Sequence, residues 1–212
     1  MKTRVLLADD HGMMREGLRA LLAAAPDIEV IAEVGDGREA VRIAGELMPD
    51  VVVMDVSMPD LNGIEAAHLL REKCPQTRIV MLSMHASSEH VHRALEAGAA
   101  GYVLKESAAA EVIAAVRTVR AGRVYLSPAL GIGAGAPARD GAKSPLESLS
   151  SRERQVLQLV VEGRTSAEIA RTVHLSAKTV ETYRSRLMKK LGVADTPALV
   201  KFAIRHGLTP PG

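Results

Sequence analysis

The feature that most constrains the fold is an alternation of short β-branched runs with helical patterns over the first 125 residues. Between the runs, apolar residues recur at helical spacing, as in Leu18, Leu21 and Leu22. Five runs have the composition of strands, namely Val5–Ala8, Val30–Val34, Val51–Asp55, Ile79–Leu82 and Gly101–Leu104. This order predicts an α/β fold, a doubly wound (βα)5 unit around a parallel sheet.

The second part of the chain has a different composition. From Ser127 to about Leu146 the sequence is rich in Pro, Gly, Ala and Ser, which predicts a flexible linker over residues 127–147. Beyond it no strand signal is present, and four helical segments are expected at Ser151–Glu162, Ser166–Val173, Ala177–Leu191 and Pro197–His206. We therefore predict an α/β domain over residues 1–126 and an all-α four-helix domain over residues 148–212.

Composition and chain start predict a cytoplasmic protein. Hydrophobic residues make up 47% of the chain and charged residues 25%, as in ordinary globular proteins. Charges interrupt the apolar runs within a few residues, and no signal-peptide core follows the basic start.

The single cysteine, Cys74, cannot form an internal disulfide. The seven histidines show no metal-ligand spacing, so we expect them at the surface.

Charge is distributed unevenly between the two parts. Residues 1–147 carry 16 basic and 20 acidic side chains, a net charge of −4. Residues 148–212 carry 11 basic and 5 acidic side chains, a net charge of +6. Such a basic C-terminal domain is suited to the phosphate backbone of a nucleic acid, although charge alone also permits RNA or a membrane surface.

Three carboxylates are expected at one edge of the predicted sheet. Asp9 and Asp10 close the first strand and Asp55 closes the third, at the carboxyl ends where such folds bind ligands. Like charges this close are costly unless a cation lies between them, and carboxylate oxygens suit Mg²⁺. Lys105 ends the fifth strand and Ser83 follows the fourth, which adds a cation and a hydroxyl for phosphoryl oxygens.

A helix-turn-helix is predicted in the basic domain. Ser150 and Glu153 form a capping-box pattern that begins the first helix. Residues 166–180 then have the spacing of a short helix, a tight turn and a second helix capped by Ser176. On that second helix the inward positions are Val180, Tyr183, Leu187 and Leu191, and the outward ones are Lys178, Glu181, Thr182, Ser185 and Lys189. The outward face is suited to a DNA major groove.

The N-terminal part resembles the receiver domain of response regulators. The resemblance lies in Val5-Leu-Leu-Ala-Asp-Asp10, Met54-Asp-Val-Ser-Met-Pro59 with Asn62-Gly63, Met81-Leu-Ser-Met84 and Gly101-Tyr-Val-Leu-Lys105. It implies that Asp55 accepts a phosphoryl group and that Lys105 pairs with the phosphate. It further implies that Mg²⁺ is held by Asp9, Asp10, Asp55 and the Ser57 carbonyl. Ser83 and Tyr102 would be the switch residues that respond to the phosphate.

The C-terminal part resembles the LuxR-type DNA-binding domain. The matching segments are residues 149–157, 168–170 and 178–192, and together with the receiver they resemble response regulators of the NarL/FixJ type. That resemblance implies a sensor histidine kinase, double-stranded promoter DNA and RNA polymerase as partners, and a homodimer promoted by phosphorylation. Candidate DNA contacts are Lys178, Thr179, Thr182, Tyr183, Arg184, Arg186, Lys189 and Lys190.

Other interpretations of these residues are left open by the sequence. Each strand-end acid alone is compatible with a solvated position, and Tyr102 with a plain strand residue. Enzymes similar to haloacid dehalogenases also combine a strand-end Asp with Lys, Ser and Mg²⁺, but place a second Asp two residues later, where this chain has Ser57. A third alternative is a DNA-binding protein whose receiver only dimerises and is never phosphorylated.

Overall fold

The structure, a computed structural model, describes residues 1–131 and 148–205. The chain divides into two compact units, with the division between residues 139 and 140, outside the described residues. The first unit contains a six-stranded sheet built from β1 (Thr3–Ala8), β2 (Ile28–Val34), β3 (Val51–Asp55), β4 (Arg78–Ser83), β5 (Gly101–Leu104) and β6 (Tyr125–Leu126). Its α-helices are α1 (Gly12–Ala23), α2 (Gly37–Leu47), α3 (Gly63–Lys73), α4 (Ser88–Glu96) and α5 (Ala108–Arg120).

The strand order is β2-β1-β3-β4-β5-β6, and every neighbouring pair is parallel. This confirms the predicted doubly wound parallel fold. The short edge strand β6 was not predicted, because its two residues give too little periodicity to separate them from the Gly- and Pro-rich segment that follows. After β6, Ser127 is buried and Pro128–Leu130 forms a single 3-10 turn, so the predicted irregular segment begins with ordered backbone. Residues 132–147 of the predicted linker lie outside the described residues.

Both faces of the sheet are covered, which explains the continuous apolar runs of the central strands β1, β3 and β4, whereas the edge strand β2 has exposed residues. Along β1, Leu6 and Ala8 belong to the core beneath α2, α3 and α4, whereas Val5 and Leu7 belong to the core beneath α1 and α5. The same alternation divides the residues of β3, all of which are buried. Parallel strands buried on both faces align their carboxyl ends at one edge, and the candidate acids lie there.

The second unit contains α6 (Ser151–Val161), α7 (Ser166–Thr172), α8 (Ala177–Leu191) and α9 (Thr196–Arg205). The four predicted helices are confirmed, with end points shifted by at most one residue. Ser150 and Glu153 form the predicted capping box at α6, and Thr165 and Glu168 form a second one at α7. The core is aliphatic and includes Leu157, Ile169, Val180, Leu187 and Leu199. Within the described ranges, no helix combines the length and apolar character needed to span a bilayer.

Candidate functional site

The central strands bring the predicted acids together. β1 pairs with β3 in a register that sets Ala8 beside Met54, so Asp9 and Asp55 emerge next to each other at the carboxyl edge. β4 separates β3 from β5, and the residue after β5 is Lys105. We call Asp9, Asp10, Asp55 and Lys105 the acidic pocket. Three separate chain segments therefore supply its side chains.

The acidic pocket is held by short ion pairs among buried groups. Lys105 Nζ lies 2.6 Å from Asp55 Oδ2 and 2.9 Å from Asp9 Oδ2. Asp9 is 1% exposed, Asp55 2% and Lys105 8%, whereas the Asp10 side chain retains 33% of its surface. One buried ammonium thus serves two buried carboxylates, and a third carboxylate lies at the rim. The set carries excess negative charge and offers oxygen ligands, so its chemistry fits a divalent cation.

Burial changes the acidity of both partners in the central ion pair. It raises the pKa of Asp55 from 3.8 to about 6, against the opposing influence of the hydrogen bond and charge of Lys105. Burial also opposes the charge of Lys105, but its hydrogen bond with Asp55 and the Asp9 carboxylate outweigh that effect and raise the lysine pKa. Asp55 is therefore a carboxylate at neutral pH, held in an environment that disfavours its negative charge.

The backbone around Asp55 orients its carboxylate. The Ser57 N–H donates to Asp55 Oδ1 at 3.0 Å, so the described contact of Ser57 is through its amide, and the predicted role of its carbonyl stays a prediction. Asn62 caps α3 by accepting from the Glu65 N–H. A Cβ at Gly63 would overlap the Asp55 carbonyl oxygen, because the first turn of α3 packs directly on the end of β3. Glycine at this position lets the helix approach the pocket closely.

Ser83 and Tyr102, the predicted switch residues, are both buried beside the β4–α4 loop. Ser83 Oγ accepts from the His85 N–H at 3.0 Å, and the Tyr102 hydroxyl donates to the His85 carbonyl at 2.7 Å. Burial raises the pKa of Tyr102 to about 12, against a smaller opposing effect of the Ser83 hydroxyl. Both side chains therefore hold the same loop residue. Their response to a phosphate stays a prediction.

Sequence reasoning missed His11. The ring lies at the surface, as predicted, with 66% of the side chain exposed, but its Nδ1 is 2.8 Å from Asp10 Oδ1 and 3.2 Å from Asp9 Oδ1. The position of His11 directly after Asp9 and Asp10 could have indicated this contact. A residue that follows two strand-end acids has its Cβ close to their carboxylates. Spacing among the histidines does not detect a single histidine whose partners are carboxylates.

The helix-turn-helix is formed by α7, a tight turn and α8. His174 adopts a left-handed conformation in the turn, with φ of 53°, and the Ser176 side chain caps α8 by accepting from the Thr179 N–H. Val180 and Leu187 are buried, while Tyr183 and Leu191 pack against the core, which confirms the predicted inward face. We call α8 the recognition helix.

The candidate DNA contacts divide into two groups. Lys178, Thr182, Arg186 and Lys189 are exposed, and Thr179 is half-buried beside the N-terminal cap. The other three have partners within the domain. Arg184 donates to Ser166 Oγ at 3.0 Å and Thr196 Oγ1 at 3.2 Å, Lys190 pairs with buried Glu153 at 2.7 Å, and the ring of Tyr183 packs on the core.

The Glu181 carboxylate on the recognition helix has a local partner. It accepts a hydrogen bond from Ser166 Oγ and lies 3.9 Å from Arg184 Nη1. This local pairing reduces the repulsion between the carboxylate and a nearby DNA phosphate. The contacts among Ser166, Glu181 and Arg184 join α7 to α8.

Two family models match the chain. Residues 5–117 match the response regulator receiver domain, and residues 147–203 match the bacterial regulatory proteins of the luxR family. Transcriptional regulatory protein MctR of Rhizobium johnstonii is 40% identical over 207 residues, which cover 98% of this chain and 95% of MctR. Transcriptional regulatory protein LiaR of Bacillus subtilis is also 40% identical over 207 residues, covering 97% of this chain and 98% of LiaR.

Solved structures show the same likeness. A two-component response regulator of the LuxR family from Aurantimonas has 41% identity and a TM-score of 0.60, and covers 62% of this chain and 94% of its own. The response regulator RcsB bound to DNA has 25% identity and a TM-score of 0.58, covering 95% and 98%. The family consists of transcription regulators and not of enzymes, so the alternative of an enzyme similar to haloacid dehalogenases is set aside. The chain belongs to the two-component response regulators of the NarL/FixJ type, with a receiver domain followed by a luxR-family DNA-binding domain.

Proposed function

We propose that a sensor histidine kinase phosphorylates this chain on Asp55 and that the phosphoryl group controls dimerisation and sequence-specific binding to promoter DNA. The observation that carries the proposal is the buried ion pair of Asp55 with Lys105, beside a second buried carboxylate. In this proposal residues 1–126 receive the signal, residues 127–147 link the domains and residues 148–212 bind DNA, all in the cytoplasm. RNA polymerase is the further partner expected of a transcription regulator.

The acidic pocket supports the phosphoryl transfer chemically. An Asp55 oxygen forms the new bond to phosphorus while the bond to the donor nitrogen of the kinase histidine breaks, which leaves an acyl phosphate. The Lys105 ammonium, 2.6 Å from Asp55, lies where it can pair with a phosphoryl oxygen. Asp9, Asp10 and Asp55, with the Ser57 carbonyl, are the residues that would hold Mg²⁺. The bound ion would neutralise charge on the phosphoryl oxygens.

The loop after β4 supports a route from the pocket to the surface. His85 is tied to Ser83 through its N–H and to Tyr102 through its carbonyl. A phosphate that competes for the Ser83 hydroxyl changes the first of these contacts. The surface formed by α4 and α5 is then the bistable element that the phosphate biases.

The exposed side of the recognition helix supports DNA binding. We propose phosphate contacts from Lys178, Arg186 and Lys189, and contacts at base edges from Thr179 and Thr182. Arg184, Tyr183 and Lys190 have partners within the domain, so we assign them the positioning of the recognition helix. The relative RcsB has been solved as a complex with DNA, which supports the same use of this domain here.

The test is DNA affinity at fixed salt, measured with and without a small phosphodonor plus Mg²⁺, for wild type and Asp55→Ala. A selected DNA site is used, and sedimentation in the same samples reports dimerisation. We expect a donor-dependent gain in affinity and in dimer for wild type that Asp55→Ala lacks. Tight DNA binding that is unchanged by the phosphodonor and by Asp55→Ala would favour the alternative in which the receiver only dimerises and is never phosphorylated. Absence of DNA binding in all samples would overturn the proposal.

A further inference from the structure

The imidazole of His11 shares the acidic pocket with the three carboxylates. Its Nδ1 lies 2.8 Å from Asp10 Oδ1, 3.2 Å from Asp9 Oδ1 and 3.8 Å from Asp55 Oδ2. One ligand atom from each of the four residues lies within 4.8 Å of all the others. This is the spacing of a ligand set around one cation, with a nitrogen among the oxygens.

The backbone places this ring in the pocket. His11 is the N-cap residue of α1, yet its side chain makes no capping hydrogen bond. Its N–H donates to Asp9 Oδ1 at 2.8 Å, which fixes the start of the side chain beside the buried acid. The ring is still 66% exposed, so apolar burial does not account for its orientation. The ring nitrogen lies instead within hydrogen-bonding distance of the Asp9 and Asp10 carboxylates.

A nitrogen ligand changes which cations the pocket prefers. Mg²⁺ favours carboxylates, carbonyls and water, and gains little from an imidazole. First-row transition ions accept imidazole readily, and their affinity for mixed nitrogen and oxygen sites rises from Mn²⁺ towards Cu²⁺. A pocket of three carboxylates alone would discriminate between transition ions and Mg²⁺ less strongly than a pocket that includes His11.

We propose that His11 is a further ligand for the cation in the acidic pocket. Its Nδ1 binds transition ions and gives the pocket a preference for them over Mg²⁺. This inference rests on the proposed function only in that the same pocket holds the divalent cation. Its consequence is that the ion available in the cell, and not Mg²⁺ alone, occupies the pocket when Asp55 is phosphorylated.

The experiment uses the full chain and Mn²⁺ as the probe. Pulsed electron paramagnetic resonance detects a ¹⁴N nucleus bound directly to Mn²⁺, and calorimetry gives the affinities for Mn²⁺ and Mg²⁺ separately. We expect the ¹⁴N coupling in wild type and its loss in His11→Ala. The same substitution should lower the Mn²⁺ affinity by about tenfold. The Mg²⁺ affinity should change by less than about twofold, because Mg²⁺ does not depend on the imidazole.

Two further variants assign the signal to this pocket. His92→Ala removes a half-buried histidine that pairs with Glu96 on α4, far along the chain from the three carboxylates of the acidic pocket, and should keep both the coupling and the affinity ratio. Asp10→Asn should weaken the binding of both ions, so at a Mn²⁺ concentration too low to fill the weakened pocket the ¹⁴N coupling should fall with the bound Mn²⁺. A coupling that kept its wild-type intensity there would come from another site and would overturn the inference. Mn²⁺ binding to wild type without ¹⁴N coupling would overturn the role of His11 alone. If neither ion bound wild type, the cation pocket of the proposed function would fail as well.

Discussion

The acidic pocket and the recognition helix use charge in opposite ways. In the pocket, buried Asp9, Asp55 and Lys105 pair with one another across segments that lie up to 96 residues apart in the chain. On the recognition helix, Lys178, Arg186 and Lys189 are exposed and come from one continuous element. A buried charge depends on every neighbour that shapes its cavity, whereas an exposed one depends chiefly on the ligand that it meets. Substitutions should therefore act through folding in the first region and through binding in the second.

The largest effect is expected at Gly63, because the backbone beneath the pocket is close-packed. In Gly63→Ala the new methyl group would overlap the Asp55 carbonyl oxygen, so α3 or the end of β3 must move. We expect a loss of about 2–4 kcal/mol in the free energy of unfolding. Urea unfolding followed by circular dichroism measures it, and the phosphodonor assay should show impaired modification of Asp55 as well.

Gly45 provides the matched control for this substitution. It is exposed and lies in the last turn of α2, and a Cβ built there meets nothing within 4 Å. Gly45→Ala should stabilise the receiver by about 0.5–1 kcal/mol, since alanine has the higher helix propensity. Equal effects of the two substitutions would show that the tight approach at Gly63 does not matter.

The next effect is the pH dependence caused by Asp55. In the folded state the pKa of Asp55 is about 6, above its usual value of 3.8. Between these two values the folded chain therefore binds more protons than the unfolded chain. The free energy of unfolding therefore falls as pH rises from about 4 through about 6. Asp55→Asn removes this penalty, and in EDTA at pH 7 it should be more stable than wild type by on the order of 1–3 kcal/mol.

Asp27 serves as the control of opposite sign. Its hydrogen bond with Arg117 lowers the Asp27 pKa, so this carboxylate contributes stability at neutral pH that is lost as the solution becomes acidic. Asp27→Asn should give no gain at pH 7. Because both residues lie in the receiver, urea titrations of the two variants at pH 4 and pH 7 separate the buried acid from the exposed one. An advantage of Asp55→Asn that persisted unchanged at pH 4 would contradict the assigned cause.

Sequence patterns predicted the fold and most of the pocket for a physical reason. Parallel strands buried on both faces are read directly from apolar runs, and their carboxyl ends must share an edge, which brought Asp9, Asp55 and Lys105 together. The ring position of His11 depends on short-range geometry around three acids and leaves no periodic trace. The internal partners of Arg184 and Lys190 likewise come from other helices, and a helical wheel of α8 alone cannot show them.

The smallest effects are expected at Lys189 and Lys190, two adjacent lysines at the end of the recognition helix, and the two effects should differ in kind. Both lysines are exposed, but Lys190 donates to buried Glu153 at 2.7 Å and to the Ser148 carbonyl at 3.0 Å. If Lys189 contacts a phosphate, Lys189→Ala should lower DNA affinity by about fivefold and reduce the slope of log affinity against log salt by about one.

Lys190→Ala should act through the fold of the domain. Burial works against the charge of Glu153, and the hydrogen bonds from Lys190 and Ser150 hold the pKa of this carboxyl below its usual range. Loss of the lysine leaves the carboxylate with fewer partners, so the domain should unfold at lower urea while the salt slope stays close to that of wild type. Titrations of DNA at several salt concentrations, with urea unfolding of the same samples, resolve both quantities. If Lys190→Ala reduced the salt slope as much as Lys189→Ala did, its ion pair would have to open on DNA, and the division between positioning and contact residues would fail at this end of the helix.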